Sequence, residues 1–332
     1  MATDRLGRPL RDLRISVTDR CNFRCRYCMP REKFGKGHDF LPKNEILTYE
    51  EIRNFVKACK PLGLRKVRIT GGEPLLRQDI HHLVRQLSSM EMEVALTTNG
   101  SLLKNNAANL AQSGLSRVTI SLDAIDQEVH SKITDSKVPV IDILDGISAA
   151  TRYELGPVKV NCVVQRGVNE HQIPKLVRKF RGTGVIVRFI EFMDVGSTNG
   201  WTQGQVVPTS EIIDFLSSEF DLTPLARKSA SDVASRWAHS DGSGEIGFIS
   251  SVSQPFCGDC VRARLSSDGK FFTCLFTTIG HDMSALIRSG GNTEGLTLSI
   301  EEVWSARKDR YSEERSSGAI SLPRLEMSYI GG

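Results

Sequence analysis

Six short segments in which apolar and polar residues alternate, each followed by a helical pattern, most restrict the folds open to this chain. They span 13–18, 66–70, 94–98, 118–122, 158–164 and 185–192. Successive strand side chains point to opposite faces. Leu13, Ile15 and Val17 therefore share one face, and Arg14, Ser16 and Thr18 the other. The same division separates Val67 and Ile69 from Arg68 and Thr70, and Val158, Val160 and Cys162 from Lys159 and Asn161. A sheet covered by helices on both sides would be apolar on both faces. Here one face is left for a polar cavity. Segment 185–192 is apolar except at Arg188 and Glu191, so its facing stays open.

Between the strands, Thr48 and Glu51 form a capping box ahead of the stripe Ile52, Phe55, Val56 and Cys59, and Pro61 and Gly63 stop that helix. Asn169 is expected to cap a helix with Pro174 in its first turn and Ile173, Leu176, Val177 and Phe180 as its buried stripe. Further helices are expected over 79–90, 102–113 and 140–153. Six βα units predict an α/β fold with a parallel sheet, open or curved into a complete or partial barrel.

Arg14, Arg68 and Lys159 fall on the polar faces, with Arg188 a fourth if its strand faces the same way. Unpaired buried charges cost several kcal/mol each. Either Glu73, Asp123 or Glu191 pairs with them, or a polyanionic ligand does. The cations outnumber those carboxylates, which favours the ligand. Over the 332 residues, 43 Lys and Arg against 39 Asp and Glu leave a net charge of +4. That excess is too slight for coating a nucleic-acid polymer, though it can be focused in one pocket. The chain holds no run of 18 apolar residues and no apolar stretch of signal-peptide type at its start, so neither a membrane span nor secretion is expected. In the cytoplasmic setting this implies, spaced cysteines bind metal or react rather than pair.

Six of the eight cysteines form two groups. Cys21, Cys25 and Cys28 make a C-x3-C-x2-C loop directly after the first strand. Three thiolates on a tight loop suit an iron–sulfur cube with one iron left open; a zinc site completed by His38 is the alternative. Cys257 and Cys260 are separated by two residues, and Cys274 follows after thirteen more. Alone, that pattern fits zinc with His281 as well as it fits a second cube. Cys59 and Cys162 sit on apolar stripes and read as core.

The first loop, together with Gly71-Gly72-Glu73-Pro74 after the second strand, resembles the radical S-adenosylmethionine (radical SAM) superfamily. The stretch from Phe256 through Cys257, Cys260, Arg262, Arg264 and Cys274 to Phe276 resembles the GTP 3′,8-cyclase family of molybdenum-cofactor biosynthesis. So do residues 13–18, residues 188–193 and the terminal Gly331-Gly332, and the resemblance covers essentially the whole chain. Val261 departs from it, standing where many relatives carry a polar residue.

The resemblance implies an incomplete parallel (βα)6 TIM-like barrel over 1–240. Residues 241–332 would form an α+β region that closes it and carries a second cluster. It implies two 4Fe-4S clusters, on Cys21, Cys25 and Cys28 and on Cys257, Cys260 and Cys274. S-adenosylmethionine (SAM) would meet Tyr27, Gly72, Ser121 and Met193, with the Gly-Gly-Glu-Pro turn beside its amino group. GTP would meet Arg14, Arg68, Thr97, Lys159, Arg262 and Arg264, with its base at the second cluster's open iron. A 5′-deoxyadenosyl radical would remove the ribose 3′ hydrogen, and C3′ would then bond to C8. Gly331 and Gly332 would insert into the active site. A homodimer, a flavodoxin or ferredoxin as reductant, and a downstream cyclic pyranopterin monophosphate synthase are the implied partners. A peptide-modifying radical SAM enzyme would usually carry more C-terminal cysteines and lack the Arg262-x-Arg264 pair; a zinc-stabilised nucleotide sensor would contain no iron. Residues 242–247 and Asn199-Gly200 are expected to be loops, and 307–315 a solvated helix face whose start is signalled by Ser299, Glu301 and Glu302.

Overall fold

The structure is a computed structural model that describes residues 1–229, 231–290, 293–315 and 324–331. Each of the six alternating segments is a strand: β1 (Asp12–Ser16), β2 (Lys66–Thr70), β3 (Glu93–Thr98), β4 (Arg117–Ser121), β5 (Lys159–Val164) and β6 (Ile186–Glu191). They pair in chain order and all in parallel. Six more strands follow: β7 (Leu222–Leu225), β8 (Ser235–His239), β9 (Glu245–Ile249), β10 (Arg262–Leu265), β11 (Lys270–Phe272) and β12 (His281–Asp282).

The sheet does not close on itself. Its order is β12-β11-β10-β1-β2-β3-β4-β5-β6-β9-β8-β7. The C-terminal region thus extends both ends of the six-stranded arc, laying β9 parallel on β6 and β10 parallel on β1. This is an incomplete barrel. The expected boundary near residue 240 falls in the turn of the β8–β9 hairpin, where Gly242 and Gly244 have positive φ.

Hydrophobic burial explains which way the strands face. Leu13, Ile15, Val67, Ile69, Val118 and Ile120 are inaccessible to solvent, sealed beneath the surrounding helices. In β6, Val187 and Phe189 are buried while Ile186, Arg188 and Ile190 alternate with them, which turns Arg188 toward the cavity. Gly247 opposite makes room: a Cβ there would lie 2.9 Å from Arg188 Cγ. The capping box forms as expected, with Thr48 Oγ1 accepting from Glu51 N at 3.2 Å and Glu51 Oε2 accepting from Thr48 N at 2.7 Å.

Three expectations are corrected. Asn169 caps no helix. A 3-10 turn (Glu170–Gln172) precedes the helix Ile173–Phe180, and the buried Asn169 amide donates to Asp123 O and Val163 O, tying two strand exits together. Ser299, Glu301 and Glu302 lie inside a helix, Thr293–Ala306, rather than at the start of one. Arg307 is then buried rather than solvated, because its guanidinium stacks 4.6 Å from the Trp304 ring and pairs with Asp4. Helices Gln127–Thr134 and Thr209–Ser217 were not anticipated. Among the described residues, no helix is long and apolar enough to cross a membrane.

Glu191 ends β6 and is fully buried, yet among the described residues it meets no cation. Its carboxylate accepts from the backbone of Thr209, Val252 and Ser253, each at 2.8 Å, and from Ser253 Oγ at 2.5 Å. It therefore pins the exit of β6 to a helix start and to the loop after β9. Charge-assisted bonds of this kind contribute about 1.5–3 kcal/mol each, and their loss strands buried N–H groups. Glu191→Ala should lower the unfolding free energy by roughly 3 kcal/mol or more in urea titrations; a loss below about 1 kcal/mol would show that the loops hold without it.

Candidate functional site

Strand register decides which cations meet. Arg14 is level with Arg68 on one side and Arg264 on the other, so three guanidiniums lie in one row. One pleat lower, Arg262 and Lys66 flank Asp12. Arg68 Nη1 donates to Thr97 Oγ1 at 3.1 Å and to Thr119 Oγ1 at 3.2 Å. Lys159 is level with Thr119, and Arg188 donates from Nε to Asn161 Oδ1 at 2.9 Å. The structure thus gathers Arg14, Arg68, Thr97, Lys159, Arg262 and Arg264 in one lumen, with Arg188 added. Asp12, Lys66 and Arg117 belong there too but were not singled out, although each stands two residues before a lumen residue on its own strand.

None of the anticipated internal partners serves these cations. Glu73 accepts from Thr98 Oγ1 and Asn99 N at 2.7 Å and from Leu75 N at 3.0 Å, and burial pushes its pKa up to about 7. Asp123 accepts from Tyr27 OH and Val163 N at 2.8 Å, with burial raising it to about 6. Glu191 is engaged by backbone. Counter-charge comes from the lower rim, where Asp12 lies 3.7 Å and Glu93 3.8 Å from Lys66 Nζ, and Glu93 also pairs with Arg117.

The remaining repulsion is large. Burial, then Arg264, Arg68 and Arg262, drive the Arg14 pKa well below its ordinary value. Burial and neighbouring cations lower Arg188 to about 9 and Lys159 to about 7. Burial and Arg262 lower Arg264 to about 10. Arg14 Nε and Arg264 Nη1 are buried without a hydrogen bond. Buried polar groups are normally satisfied, so these donors await a ligand rich in oxygen and negative charge.

The cysteine groups occupy opposite mouths of that lumen. Cys21, Cys25 and Cys28 follow the C-terminal end of β1. Their loop is zipped to the turn after β2 by Gly72 N to Thr18 O at 2.7 Å and Glu73 N to Arg20 O at 2.8 Å. The glycine pair allows this approach. Gly71 sits at φ +148°, where a Cβ would be 2.5 Å from Thr18 O, and a Cβ on Gly72 would collide with the Arg20 carbonyl. Burial and then the other two cysteines push the Cys25 thiol up, and burial raises Cys21 to about 11. Such crowded sulfurs become thiolates only when metal charge offsets them. Tyr27 stands on this rim, as do Gly72, Ser121 at the end of β4 and Met193 just beyond β6.

Cys257 and Cys260 precede β10, which runs parallel to β1, so they lie at the other end of the strands. Cys274 follows β11, which runs antiparallel and returns to that same end. A five-residue strand rises about 3.3 Å per residue, which separates the groups by roughly 15 Å. Burial opposes ionisation of Cys260, but Arg262 and Arg307 overcome it and bring its pKa to about 6, and Arg262 Nη2 donates to its sulfur at 3.5 Å. Among the described residues, no three His, Cys, Asp or Glu side chains gather around one ion. A 4Fe-4S cube takes one thiolate per iron, so three cysteines at each mouth would hold three irons and leave the fourth open.

Residues 324–331 pack against the first mouth. Glu326 accepts from Ser197 N at 3.0 Å and Thr198 Oγ1 at 2.9 Å, a short helix spans Met327–Ile330, and Ser328 N bonds the Cys28 thiol. Gly331 is buried at φ +77°, and a Cβ there would lie 2.6 Å from Thr70 Cγ2. Gly332 lies outside the described residues.

A parallel βα arc with a three-cysteine loop after its first strand is the arrangement of the radical SAM superfamily, whose profile matches residues 15–180; the chain belongs to it. The Molybdenum Cofactor Synthesis C profile matches residues 185–313. The GTP 3′,8-cyclase of Acidothermus cellulolyticus is 47% identical over 99% of this chain and 98% of its own length. Those of Staphylococcus epidermidis and Staphylococcus aureus are 48% and 46% identical over the same shares. The chain is therefore a member of the GTP 3′,8-cyclase family. Among solved structures, Streptococcus suis SuiB bound to S-adenosylmethionine matches with a TM-score of 0.61 at 14% identity, over 98% of this chain and 76% of SuiB, a likeness of fold.

Lys159 supplies a test of the crowded lumen. Its folded pKa of about 7 lies below the usual lysine value, so the unfolded chain binds the extra proton between those limits and wild-type stability suffers most at and below pH 7. Lys159→Met should stabilise the ligand-free protein by about 1 kcal/mol at pH 7, solvent screening included, with the gain fading toward pH 10. Denaturant titrations from pH 6.5 to 10 check this; a gain independent of pH would mean that packing, not charge, was at stake.

Proposed function

We propose that the protein converts GTP to (8S)-3′,8-cyclo-7,8-dihydroguanosine 5′-triphosphate, as a radical SAM enzyme at the first step of molybdenum-cofactor biosynthesis. The observation that carries the reading is the placement of two three-cysteine groups at opposite mouths of a lumen lined with unsatisfied cations. When bound, the two 4Fe-4S clusters and SAM supply the electron and the 5′-deoxyadenosyl radical that takes the 3′ hydrogen.

The chain's own residues bind and orient. Arg14, Arg68, Lys159, Arg262 and Arg264 surround the triphosphate, whose oxygens satisfy the stranded guanidinium donors. Thr97, already bonded to Arg68, faces the ribose side of the same pocket. The base points to the mouth bearing Cys257, Cys260 and Cys274. Tyr27, Gly72, Ser121 and Met193 receive SAM at the other mouth, with Tyr27 held by Asp123. Gly331, buried beside Thr70 at that mouth, belongs with Gly332 to a tail that acts in the active site, where a bare backbone can approach the reacting groups closely. Residues 1–240 as barrel and 241–332 as closing region belong to the same reading. So do cytoplasmic location, a homodimer, a flavodoxin or ferredoxin donor and transfer of the product to cyclic pyranopterin monophosphate synthase.

Anaerobically reconstituted protein with SAM, reductant and GTP deuterated at C3′ should form 5′-deoxyadenosine carrying deuterium; unlabelled 5′-deoxyadenosine would overturn the assignment. Lys159, largely neutral when the lumen is empty at pH 8, regains its proton beside phosphate. Calorimetry in buffers of different ionisation enthalpy should show proton uptake on GTP binding, and Lys159→Met should abolish it.

A further inference from the structure

The second cysteine group is gripped from behind by a buried charge cluster with no part in the reaction above. Asp4, Arg8 and Arg307 are 6%, 3% and 4% exposed. Arg8 Nε donates to Asp4 Oδ2 at 2.6 Å, and Arg307 Nη1 reaches the same oxygen at 3.3 Å. From this core one bond runs to each cysteine segment. Arg8 Nη1 donates to Cys257 O at 2.7 Å and to Asp309 O at 2.9 Å. Arg307 Nη1 donates to Cys260 O at 2.8 Å. Asp309 Oδ2 accepts from Thr273 Oγ1 at 2.6 Å, one residue before Cys274. Trp304 backs the assembly: it is fully buried, and its Nε1 donates to Arg8 O at 3.1 Å.

Burying charges is costly, and apolar side chains of similar volume often stabilise a fold as well or better. Here the charges stand where the N-terminal segment, the loop before β10, the end of β11 and the residues after the helix Thr293–Ala306 converge. Three sulfurs on two separate loops share no single helix or strand that would fix their spacing. Ligands to a metal group are held by the partners behind them.

We propose that Asp4, Arg8, Arg307 and Asp309 are positioning residues that set the three cysteine segments in register for assembly of the second cluster, which makes the first eight residues part of that metal site. The proposal rests on the reading that Cys257, Cys260 and Cys274 take a 4Fe-4S cluster. It differs from a general folding role in what it spares: the first cysteine group lies at the far mouth and touches none of these residues.

The test uses full-length Arg8→Met, Arg307→Met and Arg8→Lys, reconstituted anaerobically beside wild type. Iron and sulfide should fall from about eight to about four per chain in the two methionine variants. The remaining electron paramagnetic resonance signal should respond to SAM as in wild type, and reductive SAM cleavage without GTP should persist within about twofold. Arg8→Lys should give an intermediate content, since an ammonium cannot span Asp4 and both carbonyls as a guanidinium fork does. Variants that keep about eight irons with an unchanged spectrum overturn the proposal, as does loss of both clusters together with a lowered melting temperature. Wild-type protein that itself stops near four irons removes the two-cluster reading before any variant is made, and this inference with it.

Discussion

Mutual repulsion among buried cations is the constraint around which the rest of the molecule is arranged. Three guanidiniums in one row, with more on either side, would disperse if their strands were free to slide. They are kept together because register is fixed by the opposite face, where Leu13, Ile15, Val67 and Ile69 are sealed under helices. A one-residue slip in any strand would bury charge among the helices and expose the apolar set. The hydrophobic layer thus supplies the force that the lumen opposes, and the stored repulsion is what makes a polyanion the natural occupant.

The carboxylates expected to relieve this repulsion are used elsewhere. Glu73, Asp123 and Glu191 each stand at a strand exit and accept backbone N–H groups. They fasten the exit of β3, Tyr27 in the first cysteine loop and the segment after β9. Anchoring the rim with anions while leaving the lumen cationic separates structural from ligand-facing charge. It also places the acidic groups where irregular backbone most needs acceptors.

Much of this was legible in the sequence, because alternation reports facing directly. Arg14, Arg68 and Lys159 could be assigned to one surface from parity alone, and the capping box at Thr48 was visible in spacing. What escaped was anything dependent on contacts distant in sequence. Parity cannot reveal that Glu191 meets Val252, that Asn169 bridges Asp123 and Val163, or that Arg307 stacks on Trp304 and pairs with Asp4. Asp12 and Arg117 were missed for a narrower reason: their strands begin one residue earlier than the apolar pattern suggested. The position of the second cysteine group across the cavity was implied by the family resemblance, whereas no local pattern encodes the parallel pairing of β10 with β1 that produces it.

That pairing has a consequence for what the lumen admits. Both cysteine groups flank the same two hydrogen-bonded strands, so the distance between the two mouths is set first by strand length. The strands act as a gauge of fixed length. The arginine row lies partway along that gauge, between the two mouths. Substitutions in the lumen can therefore change how tightly a ligand is held without changing how far apart the two mouths lie.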